Sequence, residues 1–83
     1  MARYQVLCWQ DIPSQVKAWD AFDEVKVELS QRFALKIDQV AQTKGITATD
    51  DFLAQWNWSE EQERDGEAQE VAEWVKQELE AKF

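Results

Sequence analysis

The sequence predicts an α+β domain, a small antiparallel sheet of two or three strands packed against about three helices. Three observations lead there. Val25, Val27 and Leu29 alternate with Glu24, Lys26 and Glu28, the period-two pattern of a half-buried strand. Phe33, Ile37, Val40 and Ala41 follow at spacings of three and four, a single apolar stripe along a helix. Val71, Trp74, Val75 and Leu79 repeat that spacing near the end of the chain. With 83 residues, one domain spanning 1–83 is expected.

Taken in order, residues 3–9 form the first strand candidate, with Tyr4, Val6 and Cys8 alternating with Gln5 and Leu7. Asp11, Ile12, Pro13 and Ser14 break it, because proline fixes φ and lacks a donor. Ser14 suits the cap of a short helical turn over Gln15, Val16, Lys17 and Ala18. Residues 19–23 read as a loop returning to the sheet, and residues 24–29 as the clearest strand. Ser30 then occupies the N-cap of the first helix, which Lys44 and Gly45 end. Ile46 is expected to pack back on that helix end. Thr47 or Thr49 caps a second helix carrying Phe52, Leu53 and Trp56. That helix ends near Trp56, and an extended segment or third strand follows over residues 58–64. Asp65 and Gly66 signal a turn. The last helix spans residues 67–82, with Glu67 and Glu70 at its positive end.

A chain this short buries only about 60% of its unfolded surface, so its core must draw on large side chains. Trp9, Trp19, Trp56, Trp58 and Trp74, with Phe22, Phe33, Phe52 and Phe83, supply them. The net charge of −8 comes from 17 acids and 9 bases. Residues 59–83 hold nine acids against three bases, so the excess sits in the last third of the chain. Such a chain repels phosphate backbones and anionic lipid, which argues against nucleic acid and membrane partners. No apolar run approaches the length of a membrane span, no cationic apolar leader is visible, and a cytoplasmic location is expected.

Candidate chemistry is sparse. Cys8 is the single cysteine and there is no histidine, so neither an intramolecular disulfide nor a cysteine-histidine pair can form. Ser14 and Lys17 imitate a serine-lysine pair, and Asp50 with Asp51 a carboxylate pair, but adjacent helical carboxylates point apart. Glu61, Glu63, Asp65 and Gly66 imitate the opening of a calcium loop, yet Ala72 stands where the bidentate glutamate belongs. No catalytic residue, metal or cofactor is therefore expected, and an enzyme is the least favoured reading. The surface left for function is a protein-binding loop comprising Asp11, Pro13, Ser14, Gln15 and Lys17, with Trp19. The competing reading has this loop bridging two strands with Val16 and Trp19 in the core. Trp56 and Trp58 pose the same choice between core and exposed contact.

Two resemblances follow from particular residues. The run VKVELSQRF, a glycine stop at Gly45 and a second helix reaching Trp56 resemble a ribbon-helix-helix module. That resemblance implies a dimeric DNA-binding regulator whose strand is paired across two chains with Glu24, Lys26 and Glu28 outward. The two carboxylates oppose DNA, leaving regulation through protein contacts with weak or no DNA binding. RYQVLCW, DIPSQVKA, EVKVELSQRF, IDQVA, WNW and EVAEWVKQELE are together similar to the small bacterial virulence-factor domain family. This implies a small bacterial α+β domain and brings no reaction or site residue with it. The expectation is a non-catalytic protein-interaction module with an unknown protein partner, most simply a monomer, the ribbon-helix-helix-like dimer being the alternative.

Overall fold

The computed structural model describes residues 1–46 and 48–82, so Thr47, one of two candidate caps, and Phe83, an expected core aromatic, lie outside the described residues. β1 (Ala2–Trp9) turns through Gln10 and Asp11 into β2 (Ile12–Trp19), and residues 20–23 connect β2 to β3 (Glu24–Glu28). These three strands form an antiparallel meander. α1 (Gln31–Thr43) and α2 (Thr49–Leu53) follow, then β4 (Trp56–Trp58), β5 (Gln62–Arg64) and α3 (Ala68–Lys82). β4 pairs antiparallel with residues 7–9 of β1, and β5 with residues 2–4 of the same edge. The fold is α+β with an antiparallel sheet and three helices, as expected, but the sheet has five strands instead of two or three.

Two of the extra strands have specific causes. Residues 15–18 are not a helical turn, and Asp11 to Lys17 is not a loop, because Val16 and Ala18 are fully buried while Gln15, Lys17 and Trp19 alternate with them. That alternation is the strand period, and Pro13 masks it. Pro13 lies where the β1–β2 register slips, Leu7 facing Gln15 and Cys8 facing Pro13, a bulge that tolerates a missing N–H. β3 reaches only as far as Gln15, so no ladder bond to β3 is lost. Ser14 caps nothing; its carbonyl accepts the Leu29 N–H at 3.0 Å. The segment expected over residues 58–64 is instead split into β4 and β5 around Ser59. There the Ser59 hydroxyl accepts the Val6 N–H at 2.8 Å and the Ser59 N–H donates to the Val6 carbonyl at 2.9 Å.

The core joins Ala2, Val16 and Ala18 of the sheet to Phe33, Ile37 and Ala41 of α1 and to Ala68, Val71, Ala72 and Val75 of α3. Alanines on both sides of the α3–sheet contact let the helix backbone approach closely. At the other end Trp9 is fully buried. Its ring lies 5.2 Å from that of Phe52, which meets Trp56 edge-on at 6.2 Å. The Trp9 indole N–H donates to the Phe52 carbonyl at 2.9 Å.

Several large side chains depart from the aromatic core expected. Phe22 stands 93% exposed in the β2–β3 connection, and Trp74 is 43% exposed. A spacing of three places Trp74 in the buried stripe of α3, but at 100° per residue it sits about 120° from that stripe's centre. It packs instead under the Arg64 guanidinium, 3.0 Å from the ring centroid. α2 ends at Leu53, short of Trp56, and Leu53 faces solvent.

Helix ends show which caps act. Gly45, at φ +72°, donates its N–H to the Gln42 carbonyl while Ile46 donates to Ala41, the paired bonds of a Schellman stop. Ser30 takes the N-cap position of α1, but its hydroxyl makes no capping bond. Thr49 is the first helical residue of α2, and Ala48 holds the cap position. For α3 the cap comes from 48 residues away. Asp20 Oδ2 accepts the Ala68 N–H at 3.0 Å, and Oδ1 accepts those of Phe22 and Asp23 at 2.8 and 2.7 Å.

The bond from Ala68, then those from Phe22 and Asp23, hold the Asp20 carboxyl below the usual aspartate range. The charged form is the one stabilised, so its contribution is present above about pH 4 and lost as pH falls through the depressed value. Asp20→Ala is expected to lower Tm by about 5–10 °C at pH 7, and Asp20→Asn by less. In thermal melts from pH 7 to pH 2.5, the gap between the wild type and Asp20→Asn should close on the acid side. A gap independent of pH would refute the ionic cap.

Candidate functional site

A strand presents successive side chains to opposite faces, and the helices of this fold pack where Ala2, Val16 and Ala18 point. On the other face of the meander α2 covers the end at Trp9 and Trp56, where Phe52 packs, and the remainder is half-buried to exposed. Registered neighbours across it are Arg3 with Trp19, Gln5 with Lys17, and Leu7 with Gln15. β3 adds Glu24 beside Trp19, Lys26 beside Lys17 and Glu28 beside Gln15. β4 adds Trp58 beside Leu7.

Lys17 organises the centre. Directly opposed to Lys26, it faces a like charge across the strands, which is unfavourable. Its ammonium turns to Glu24 at 3.2 Å. In the same position it lies 5.4 Å from the ring centroid of Trp19 and 5.8 Å from that of Trp58, within cation–π range of both. Trp58 stays 44% exposed. Arg3 closes one end, bonded to Glu63 at 3.0 Å with Glu61 at 4.0 Å. Such exposed pairs contribute little stability, and their effect here is to orient the side chains on the face.

Of the six residues singled out in the sequence, Gln15, Lys17 and Trp19 meet on this face. Asp11 lies apart at the hairpin turn, Pro13 is buried, and Ser14 is the extra residue of the bulge. Trp58, which the sequence leaves open between core and exposed contact, belongs to the surface, as do Leu7 and Arg3, which sequence reasoning misses. The WNW spacing, two indoles on one strand face, is the available signal. The Ser14–Lys17 pair does not form, since Lys17 is engaged by Glu24 and the indoles. Asp50 and Asp51 are exposed in the first turn of α2. Glu61 and Glu63 turn to Arg3, and among the described residues no three acidic or cysteine side chains gather as a metal site would require. Burial, with a smaller push from the Asp11 charge, raises the Cys8 thiol above its usual range, the opposite of what a thiolate nucleophile needs. No helix among the described residues is long and apolar enough to cross a membrane.

In the ribbon-helix-helix arrangement the strand finds its partner in a second chain, whereas here β3 is paired with β2 of its own chain. No curated protein and no solved structure matches this chain. A family described as virulence factor matches residues 7–83, from the middle of β1 through every later element. With this share of the sequence matched, the chain belongs to the virulence factor family.

Proposed function

We propose that the open sheet face binds a partner protein and that the domain acts through this contact without catalysing a reaction. The observation that supports the reading is Trp58, nearly half exposed, with the Lys17 ammonium in cation–π range of its ring and of the Trp19 ring, on the part of the face that α2 leaves open. Indoles of this kind supply most of the binding energy in protein interfaces when a partner pocket desolvates them. Glu24 and Glu28 on one side, with Glu61 and Glu63 on the other, rim the strip with acids. The matching partner surface is an apolar or aromatic pocket bordered by lysine or arginine.

A photoreactive benzoyl-phenylalanine placed in turn at Trp58, Lys26 and Gln69 tests this. Gln69 is exposed on α3, away from the sheet face. The expected result in the native host is one protein crosslinked from positions 58 and 26 and not from 69. Its affinity for the purified domain should then fall at least about tenfold in Trp58→Ala with the fold intact. Equal labelling from all three positions, or unchanged affinity in Trp58→Ala, would reject the proposal.

A further inference from the structure

A second surface lies away from the sheet face. Between the β1–β2 hairpin turn and one side of α1 is a cleft of about 600 Å³, within the range of small-molecule sites. Its floor is apolar: Ile12 and Phe33 are buried, and Val40 is half-buried. Its rim is cationic. Arg32, Lys36 and Lys44, three of the chain's nine bases, line it, although the chain as a whole carries −8.

The spacing of these residues explains the convergence. Residues 32, 36, 40 and 44 are four apart and so follow one side of α1. Asp38, the acid within α1, is two residues from Lys36 and points away from it. Two of the cations are engaged. The Arg32 guanidinium lies over the Phe33 ring at 4.6 Å and donates to the Glu80 carbonyl. The Lys44 ammonium donates to Gln10 Oε1 at 2.9 Å, a neutral acceptor that leaves its charge uncompensated. Lys36 is exposed. A smaller depression over Lys36, Val40 and Lys44 adjoins the cleft and adds Gln39 and Thr43 to its polar end. Asp11 is the acid in the cleft, at the hairpin turn.

We infer that this cleft binds a small amphipathic anion, its apolar part against Ile12, Phe33 and Val40 and its anionic head between Lys36 and Lys44. The charge complementarity is local. A cationic rim on an acidic protein selects an anion by short-range contact, because the field of the whole molecule does not attract one. The cleft shares no residue with the sheet face, so either surface can fail its test while the other stands.

Octanoate, octan-1-ol and octyltrimethylammonium, titrated separately into the ¹⁵N-labelled full chain, provide the test. Octanoate should shift the amide resonances of Ile12, Phe33, Lys36 and Val40 with a Kd of about 1 mM or tighter. Lys36→Glu combined with Lys44→Glu should weaken that binding about tenfold, each substitution turning an attraction into a repulsion. Asp11→Asn should tighten it about twofold. Asp11, Lys36 and Lys44 are all exposed, and a preserved amide spectrum would establish that the variants fold. The neutral and cationic probes should bind more weakly than octanoate. Equal binding of octyltrimethylammonium, an unchanged Kd in the double variant, or octanoate shifts centred on Trp19 and Trp58 would overturn the inference. So would co-sedimentation with phosphatidylglycerol vesicles in the absence of octanoate binding.

Discussion

Trp9→Ala is expected to cost about 3–5 kcal/mol, the range for removing a large aromatic from a core. A domain of this size holds only about 4–12 kcal/mol in total, so the variant should be largely unfolded near physiological temperature. The site explains the severity. Trp9 is fully buried, ends β1, and faces Ile12 on one side and Trp56 on the other. Its ring is packed on Phe52. Removing it leaves a void among residues of β2, α2 and β4 and takes one of two hydrogen bonds from the Phe52 carbonyl, which keeps that from the Gln55 N–H at 3.2 Å. Trp9→Phe separates these contributions: it keeps most of the apolar contact and loses the hydrogen bond, and should cost about 1–3 kcal/mol. Urea denaturation followed by far-ultraviolet circular dichroism measures both. A Trp9→Ala protein within about 1 kcal/mol of wild type would show that this aromatic cluster does not hold β4 to the sheet.

Phe33→Ala should cost a comparable amount, about 3–4 kcal/mol, for a different reason. Phe33 is 3% exposed and belongs to the core cluster that joins α1 to the sheet. α1 has no side-chain cap at its N-terminus and no acid in its first turn, so that end is held by this packing together with the Arg32 bond to the Glu80 carbonyl. The loss should appear first as detachment of α1. Amide hydrogen exchange should accelerate over α1 before it accelerates over the β1–β2–β3 meander. Phe33→Leu, which keeps most of the volume, should cost under about 1.5 kcal/mol. Uniform acceleration over the whole chain in Phe33→Ala would mean that α1 and the meander open as one unit.

The sequence is informative wherever a periodicity runs uninterrupted. β3 announces itself through Val25 and Val27, α1 through Phe33, Ile37 and Ala41, and the end of α1 through Gly45. Each signal is local, set by backbone geometry over a few residues, so it survives without knowledge of the fold. β2 escapes detection because Pro13 reads as a breaker in isolation. Only the partner strand shows that the proline falls on a register slip that tolerates it. α3 is legible but misfaced at Trp74, since a spacing of three fits the stripe at Val71 and drifts off it.

Charge totals are legible in the same direct way. The −8 balance and the absence of histidine follow from counting, and they limit the chemistry available to any fold this chain adopts. What counting does not contain is neighbourhood. Lys17 and Trp58 are 41 positions apart, Asp20 and Ala68 are 48, and neither pair has a local signature. Their meeting depends on β1 accepting β4 and β5 along one edge, and on α3 returning to the mouth of the β2–β3 turn. The sequence alone thus determined the fold class, the strand and helix with the cleanest periods, and the residue chemistry on offer. The tertiary structure alone decided that Lys17 lies between two indoles on an open face and that three cations gather over an apolar cleft. The physical reason is that periodicity is a property of adjacent residues, whereas a surface is made by contacts between residues far apart in the chain.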